Sequence, residues 1–345
     1  MARVLVAMSG GVDSSVAAAV LRGEGHSVVG ATMMLWGGRS DSGCCSVADV
    51  EDARRVAQQL GIDHHVFNFT DDFDTHVVAP YVVAHAEGRT PNPCVECNRH
   101  LKFDRFLERA EQLGFDAIAT GHHARVVASA DGGVSLRRGA DAAKDQSYVL
   151  SMLGAGQLRR VLLPVGELTK AEVRRLAAGA GLRTADKPDS QDVCFILATD
   201  GGRTTFLGDR IPLHPGRVVD TAGREVGAVP AVELVTVGQR RGLPGGSGER
   251  RYALSVDVAS ATVVVGTDDE LQTRRLRLGD ETWTGAPLEA GTRVEVQTSA
   301  HGSSAGAVYE GGGVVHLDES HRRVAPGQTV ALYVGDVVVG AGLAV

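Results

Sequence analysis

Residues Arg3 to Ser15 read RVLVAMSGGVDSS, and the fold of the first half of the chain follows from this stretch. Val4, Leu5, Val6 and Ala7 form a short apolar run of the kind that makes a buried parallel strand. The run stops at Ser9-Gly10-Gly11, and an Ala-rich, helix-favouring segment follows from Ser14 to Arg22. A strand, a glycine turn and a helix start make an anion site. Glycines let the backbone approach closely, and the first N–H groups of a helix favour phosphate oxygens. Ser9, Ser14 and Ser15 are expected to add hydroxyl donors. Asp13 is expected to cap the helix, or to orient a metal ion or the loop N–H groups.

The string SGGVDSS is neither GxxxxGK[ST] nor GxGxxG, so two common phosphate motifs are set aside. It resembles the pyrophosphate loop (PP-loop) of the ATP pyrophosphatases. That resemblance implies ATP as co-substrate and activation of a carbonyl oxygen by transfer of AMP.

Outward from the loop, residues 1–125 alternate strand-like and helix-like segments. Ser27 to Thr32 reads as a second strand, Val47 to Leu60 as a helix, Asp63 to Phe69 as a third strand and Ala117 to Ala119 as a fourth. The pattern predicts an α/β doubly wound parallel sheet of the PP-loop type, with ligands at the C-terminal strand ends. The first loop, Met33-Met34 and Thr120-Gly121-His122 all follow strands and are expected to converge on one nucleotide. Residues 140–200 read as helical with basic stretches that include Lys170 and Arg174-Arg175. From about residue 201 glycine, proline and β-branched runs take over, as in Arg217 to Asp220 and Tyr252 to Asp257. Short strands with glycine turns then predict a small barrel. The expected domains are 1–200 (nucleotide-binding and catalytic), 201–268 (small and central) and 269–345 (C-terminal β-barrel, RNA-binding).

The 345 residues, 43% hydrophobic and 22% charged, suit a soluble globular chain. No run of about 18 apolar residues exists, and the N-terminus moves straight into a strand without a signal peptide. A cytoplasmic location is therefore expected. The net charge of −7 argues against indiscriminate nucleic-acid binding but leaves room for a local basic face. Five cysteines in a chain of this size do not form a disulfide scaffold, so metal, redox or catalytic roles come first. Cys44 and Cys45, in a glycine-flanked loop, read as small buried hydrophobes. Cys94 and Cys97 form a CxxC in TPNPCVECNRHLKF, in a proline loop leading into a helix, and Cys194 stands far away in KPDSQDVCFI. The second CxxC of a four-cysteine zinc site is missing. Three thiols could instead hold an iron–sulfur cluster, or two could work by thiol–disulfide exchange. His122 stands out among the histidines because it follows the strand-end glycine. His64-His65 reads as structural. Gln239-Arg240-Arg241-Gly242 is a turn that offers guanidinium groups to phosphate.

With these motifs assembled, the chain resembles the tRNA-specific 2-thiouridylases of the bacterial MnmA type over essentially its whole length. The resemblance rests on AMSGGVDSS, GRTPNPCVECNRHLKF, IATGHHARV, KDQSYVL, LLPVGELTKAEVR, KPDSQDVCFI, VGQRRGL and APGQTVALY, in that order. It implies thiolation of C2 of the wobble uridine, position 34, in tRNAs for Lys, Glu and Gln. ATP is used, with Mg²⁺ shielding its phosphates, and a sulfur-relay protein donates a persulfide. It implies ATP binding by Ala7, Met8, Ser9, Gly10, Gly11, Val12, Asp13, Ser14, Met33 and Gly121. Cys97 matches the nucleophile and Cys194 the persulfide carrier, the two forming a transient catalytic disulfide. A helix N-terminus, or Arg99 and Lys102, is expected to favour the Cys97 thiolate. His122, Lys144, Asp145, Gln146 and Gln328 match tRNA-contact positions, and no resident metal is implied.

Two departures stand out. Cys94 replaces the Asp of many members, which keeps an iron–sulfur cluster on Cys94, Cys97 and Cys194 as an alternative. The barrel stretch VEVQTSAHG (Val294 to Gly302) is less basic than in better-known members. A PP-loop ligase acting on a small metabolite and a non-enzymatic RNA-binding or sulfur-carrier protein are further alternatives.

Overall fold

The computed structural model describes residues 1–36, 46–128, 132–189, 193–196, 201–244 and 250–345. Cys44, Cys45 and part of the glycine-rich stretch 242–248 lie outside the described residues. The first strand, β1 (Arg3–Ala7), pairs in parallel with β2 (Ser27–Met34), and β2 with β3 (His64–Asn68). On its other side β1 pairs with β4 (Ala117–Ala119). Side chains of β1 alternate with the two-residue period of a strand. Val4 and Val6 enter one apolar cluster with helices α1 (Val12–Gly23) and α2 (Val47–Leu60). Leu5 and Ala7 enter another, under the helical segments between residues 70 and 112. A strand buried on both faces needs the uninterrupted apolar run that Val4 to Ala7 supply.

After β4 the chain leaves this sheet in a hairpin, β5 (Ala124–Ala128) and β6 (Val134–Arg138). It returns beside β4 as the short strand β7 (Val161–Leu162), completing the sheet order β3-β2-β1-β4-β7. Residues 140–200 are less helical than expected. Turns dominate there, and the helix Lys170–Gly179 is the principal one among the described residues.

A four-stranded central sheet follows, built from β8 (Gly216–Asp220), β9 (Glu225–Val229), β10 (Tyr252–Asp257) and β11 (Thr262–Gly266). The last part contains β12 (Gln272–Trp283), β13 (Thr292–Gln297), β14 (Ala305–Gly311), β15 (Val314–Arg322), β16 (Thr329–Val334) and β17 (Val337–Ala344). Their order is β12-β15-β14-β13-β16-β17, and β12 pairs back onto β17, closing a barrel.

The hairpin joins the two ends of the molecule. Its strand β6 pairs with the first residues of β17, Val337 opposite Arg137 and Val338 opposite Leu136. Asp336, in the turn before β17, accepts from Arg125 and Arg137 at 2.8 and 3.2 Å. Leu136, Ala331, Tyr333 and Val338 therefore belong to the same apolar cluster as Leu5 and Ile118. The nucleotide-type domain and the barrel share a core.

Among the described glycines, Gly166, in the turn after β7, has another stretch of backbone closest to where its Cβ would lie. A Cβ there would lie 1.9 Å from the Ala124 carbonyl oxygen, at the start of the hairpin. Gly166→Ala should cost about 1–3 kcal/mol, the range for overpacking. It should appear as a lower urea midpoint with an unchanged slope.

Candidate active site

The PP-loop lies at the C-terminal end of β1, where the sheet order reverses between β1 and β4, the crevice in which such sheets bind ligands. Gly10 has φ +71° and packs on the start of α2, where a Cβ would sit 2.3 Å from the Asp49 carbonyl oxygen. Gly121, following β4, is equally tight: a Cβ would sit 2.5 Å from the Ser14 nitrogen. Gly11 is the N-cap of α1 and has no side chain to close the helix end. The first bond inside the helix runs from the Ser15 N–H to the Gly11 carbonyl at 3.3 Å. The N–H groups of Val12, Asp13 and Ser14 precede it and have no intrahelical acceptor, as helix geometry requires. A chain of amides thus faces the crevice with Ser9 beside it. Met33, at the end of β2, is buried next to this loop's layer.

Two expectations for the loop are corrected. Ser15 is fully buried and donates to the Gly11 carbonyl at 2.7 Å, so it holds the loop instead of offering a donor to an anion. Asp13 does not cap α1. Its carboxylate turns to the Lys170 ammonium, at 2.7 and 2.8 Å, and lies 3.1 Å from His123 Nε2. Burial would raise the Asp13 pKa, but the bonds from His123 and Lys170 outweigh it and hold the carboxyl below its ordinary range.

Lys170 extends the network. It lies 2.7 Å from Asp189, which also takes Lys144 at 2.9 Å and Arg174 at 3.1 Å. Burial would raise the Asp189 pKa, and the hydrogen bonds from Lys170 and Lys144 bring it down to about 2. Lys187, two residues before Asp189, reaches Asp49 and Asp52 of α2, both at 2.7 Å. The segment approaching Cys194 is thus pinned to both sides of the PP-loop. His123 and Asp189 were not candidates in the sequence, and Lys170 figured there only in a basic stretch. One signal was available. Thr169 caps the helix, which places Lys170 at its first position, where a cation opposes the helix dipole. A lysine held there has a partner elsewhere.

The cysteines lie on the other face of the sheet. Asn92 caps the helix Pro93–Glu96, its side chain accepting from Cys94 and Val95 N–H at 3.1 and 3.4 Å. Cys94, in the first turn, is exposed, whereas Cys97 is one turn further on and buried. The helix-terminus expectation is therefore corrected, because the dipole acts mainly on the first turn and that turn carries Cys94. From Cys97 to Arg105 the helix is wound wide, so that Phe106 N–H reaches the Leu101 carbonyl five residues back. Such π segments recur at functional sites. Cys97 belongs to the apolar cluster against which Cys194 packs half-buried. Beside Cys194, Phe195 is buried among the rings of Trp36, Phe73, Tyr81 and Phe206, with centroids 5.1 to 6.0 Å away. Among the described residues no three of His, Cys, Asp or Glu converge as a metal site.

His122 is buried, bonds Thr120 Oγ1 through Nδ1 at 2.7 Å and lies against Phe103 of the wide helix. Burial and the Lys102 charge push its pKa well below the usual value, which keeps the imidazole neutral. Asp145 points inward, accepting from Arg138, the Gly139 N–H and Ser147. Gln146 accepts from the His123 N–H at 2.9 Å. Gln328 donates to the Thr90 carbonyl, at the loop before the Asn92 cap. His64 Nε2 meets Thr32 Oγ1 at 2.9 Å, in keeping with a structural histidine.

A PP-loop crevice on a parallel sheet, with a β domain and a barrel behind it, defines the class. A family model described as the tRNA methyl transferase HUP domain matches residues 2–198. A PRC-barrel domain of the same description matches 204–267, and an aminomethyltransferase beta-barrel domain matches 269–344. A protein of Chloroflexus aurantiacus named tRNA-specific 2-thiouridylase MnmA is 46% identical over 99% of this chain and 98% of its own length. One of the same name from Mycobacteroides abscessus is 46% identical over 99% of each chain. The chain belongs to the tRNA-specific 2-thiouridylase family of the MnmA type. A solved structure described as the U34-tRNA thiolase NcsA from Methanococcus maripaludis with its [4Fe-4S] cluster covers 60% of this chain and 63% of its own. It matches at 18% identity and a TM-score of 0.34, too low to bear on this site. No helix among the described residues is long and apolar enough to cross a membrane.

The depressed carboxyl of Asp189 makes a pH prediction. Its stabilising effect is present above the unfolded carboxyl range and is lost as pH falls through about 2. The stability gap between the native chain and Asp189→Asn should therefore be constant near neutrality. It should close on acidification below about pH 4, as read from urea midpoints at each pH.

Proposed function

We propose that the chain transfers sulfur to C2 of the wobble uridine of tRNA in two stages, an adenylation and a sulfur transfer. The observation that carries this reading is the joint presence of the PP-loop crevice and two sequence-distant cysteines, Cys97 and Cys194, packed on one apolar cluster. Membership of the thiouridylase family supplies the substrate.

The uracil C2 oxygen is a poor leaving group. Its attack on the α-phosphorus of ATP expels pyrophosphate and makes C2–O–AMP, from which AMP departs readily. Ala7 to Ser14 would hold the β- and γ-phosphates through the amides at the start of α1, with Met33 and Gly121 flanking the nucleotide. Mg²⁺ arriving with ATP would shield phosphate charge. A loop base is the easiest kind to extrude into such a crevice.

Cys194 would carry the outer sulfur as a persulfide received from a relay protein. By direct attack, that sulfur bonds to C2 as AMP leaves. The Cys97 thiolate then attacks Cys194 Sγ, the S–S bond to the transferred sulfur breaks, and 2-thiouridine is released. Alternatively Cys97 first expels the sulfur as sulfide, which attacks C2. Both routes leave a Cys97–Cys194 disulfide that an external thiol reductant must reduce, a requirement that suits the cytoplasm. The two Cα atoms must come within about 7 Å for that bond. His122, Lys144, Asp145, Gln146 and Gln328 are the proposed RNA-facing positions. Lys144 is exposed and suits a phosphate, whereas Asp145 acts by holding its turn. The tRNAs for Lys, Glu and Gln are the proposed substrates.

Cys97→Ser and Cys194→Ser should each reduce 2-thiouridine, measured by nucleoside mass spectrometry on unmodified tRNA, to background. ATP binding should stay unchanged. Appreciable product from either variant sinks the two-cysteine assignment.

A further inference from the structure

The loop Gly88–Asn92, which delivers the helix carrying Cys94 and Cys97, is gripped by a distant part of the chain. The Thr90 N–H donates to the Pro326 carbonyl at 2.7 Å, and Gln328 Nε2 donates to the Thr90 carbonyl at 2.5 Å. One peptide unit on each side of Thr90 is therefore fixed by the turn before β16. Gly327 shapes the turn through its backbone: it has φ +86°, in the left-handed region that favours glycine, and it lies in ordinary contact range of Arg89, Thr90 and Pro91. The turn is itself tied to β17: Gly327 N–H donates to the Ala344 carbonyl and Ala344 N–H to the Gln328 carbonyl, at 2.8 and 2.9 Å.

Two residues beyond Thr90 stands Asn92, the cap of the cysteine helix. Its side chain also lies close to the hydroxyl of Tyr148, a buried residue, near enough to act on that hydroxyl's ionisation. That hydroxyl donates to the carbonyl of Thr329 at 2.9 Å, with the Thr298 carbonyl at 3.3 Å. The cap and the loop before it are thus both held by the barrel.

We propose that Gln328 is a positioning residue for Cys97. It locks Thr90, Thr90 and Tyr148 locate Asn92, and Asn92 fixes the first turn of the helix whose next turn buries Cys97. RNA settling on the barrel beside this turn is then felt at the thiol without touching it. The inference rests on the reading of Cys97 as a reacting thiol, and it assigns Gln328 a role that needs no RNA contact.

Gln328→Glu keeps the shape and removes the donor, leaving a carboxylate against the Thr90 carbonyl. The full chain is treated with iodoacetamide in the absence of RNA, and Cys97 alkylation is followed by peptide mass spectrometry. The rate at Cys97 is expected to rise several-fold, because a loosened loop exposes a buried thiol. kcat for thiolation at saturating tRNA should fall by roughly tenfold, with KM for tRNA little changed, since misplacing a reacting group costs turnover. Tyr148→Phe, a milder change that leaves Gln328 intact, should move alkylation in the same direction and secures the test if Gln328→Glu folds poorly. An unchanged alkylation rate in both variants, or a raised KM with no effect in the absence of RNA, overturns the proposal and makes Gln328 an RNA contact only. The functional reading fails by a different sign, namely thiolation that survives Cys97→Ser, and the alkylation result does not depend on it.

Discussion

A helix terminus can receive a phosphate only if its first amides are left without acceptors, and much of the architecture around α1 serves that constraint. A side-chain cap at position 11 would consume an amide, and glycine stands there. Ser15 turns its hydroxyl inward, and Asp13 is drawn away by Lys170 and His123. The neighbouring strand ends then have to come close without filling the crevice. Gly10 against Asp49 and Gly121 against Ser14 allow this, because each lies where a methyl group would strike backbone. The crevice results from side chains being absent in some places and turned aside in others.

The charges around the crevice form a connected set. Asp13, Lys170 and Asp189 alternate in sign, Lys144 and Arg174 both join at Asp189, and Lys187 continues the pattern onto α2 through Asp49 and Asp52. Partly buried ions of this kind contribute little net stability over a well-packed apolar alternative, since desolvation offsets most of their attraction. What they supply is placement. They hold the stretch before Cys194 to the same loop whose amides face the crevice, while Phe195 anchors its other side in a group of aromatic rings. In a chain with only 4% aromatic residues, five rings gathered at one point indicate where apolar packing is concentrated.

Features governed by local chemistry were legible in the sequence. The apolar run of β1, the glycine turn and the periodicity of Val47 to Leu60 correspond to the observed elements, as does the strand Tyr252–Asp257. What escaped depends on partners far along the chain. Lys170 meets Asp13 across 157 positions, and no local pattern encodes that meeting. Gln328 meets Thr90 across 238. The hairpin β5–β6 was missed because its strands are short and polar on one side and find their partner in the barrel. The wide winding after Cys97 has no compositional signature either. The cysteines were recognised through the motifs around them, while their burial, Cys97 inside and Cys94 outside, is a tertiary outcome.

The pairing of β6 with β17 also bears on how the protein comes into being. Arg137 and Val337 are two hundred residues apart, and a ribosome adding about 5–20 residues per second takes roughly 10–40 s to cover that distance. Once the nucleotide-type domain is complete, near residue 198, it still carries the unpaired β6 edge and an uncovered Leu136 until β17 emerges. Its maturation is thus deferred until the last strand of the barrel emerges. An unpaired β6 edge over that interval is a row of open backbone groups of the kind that can pair with another chain.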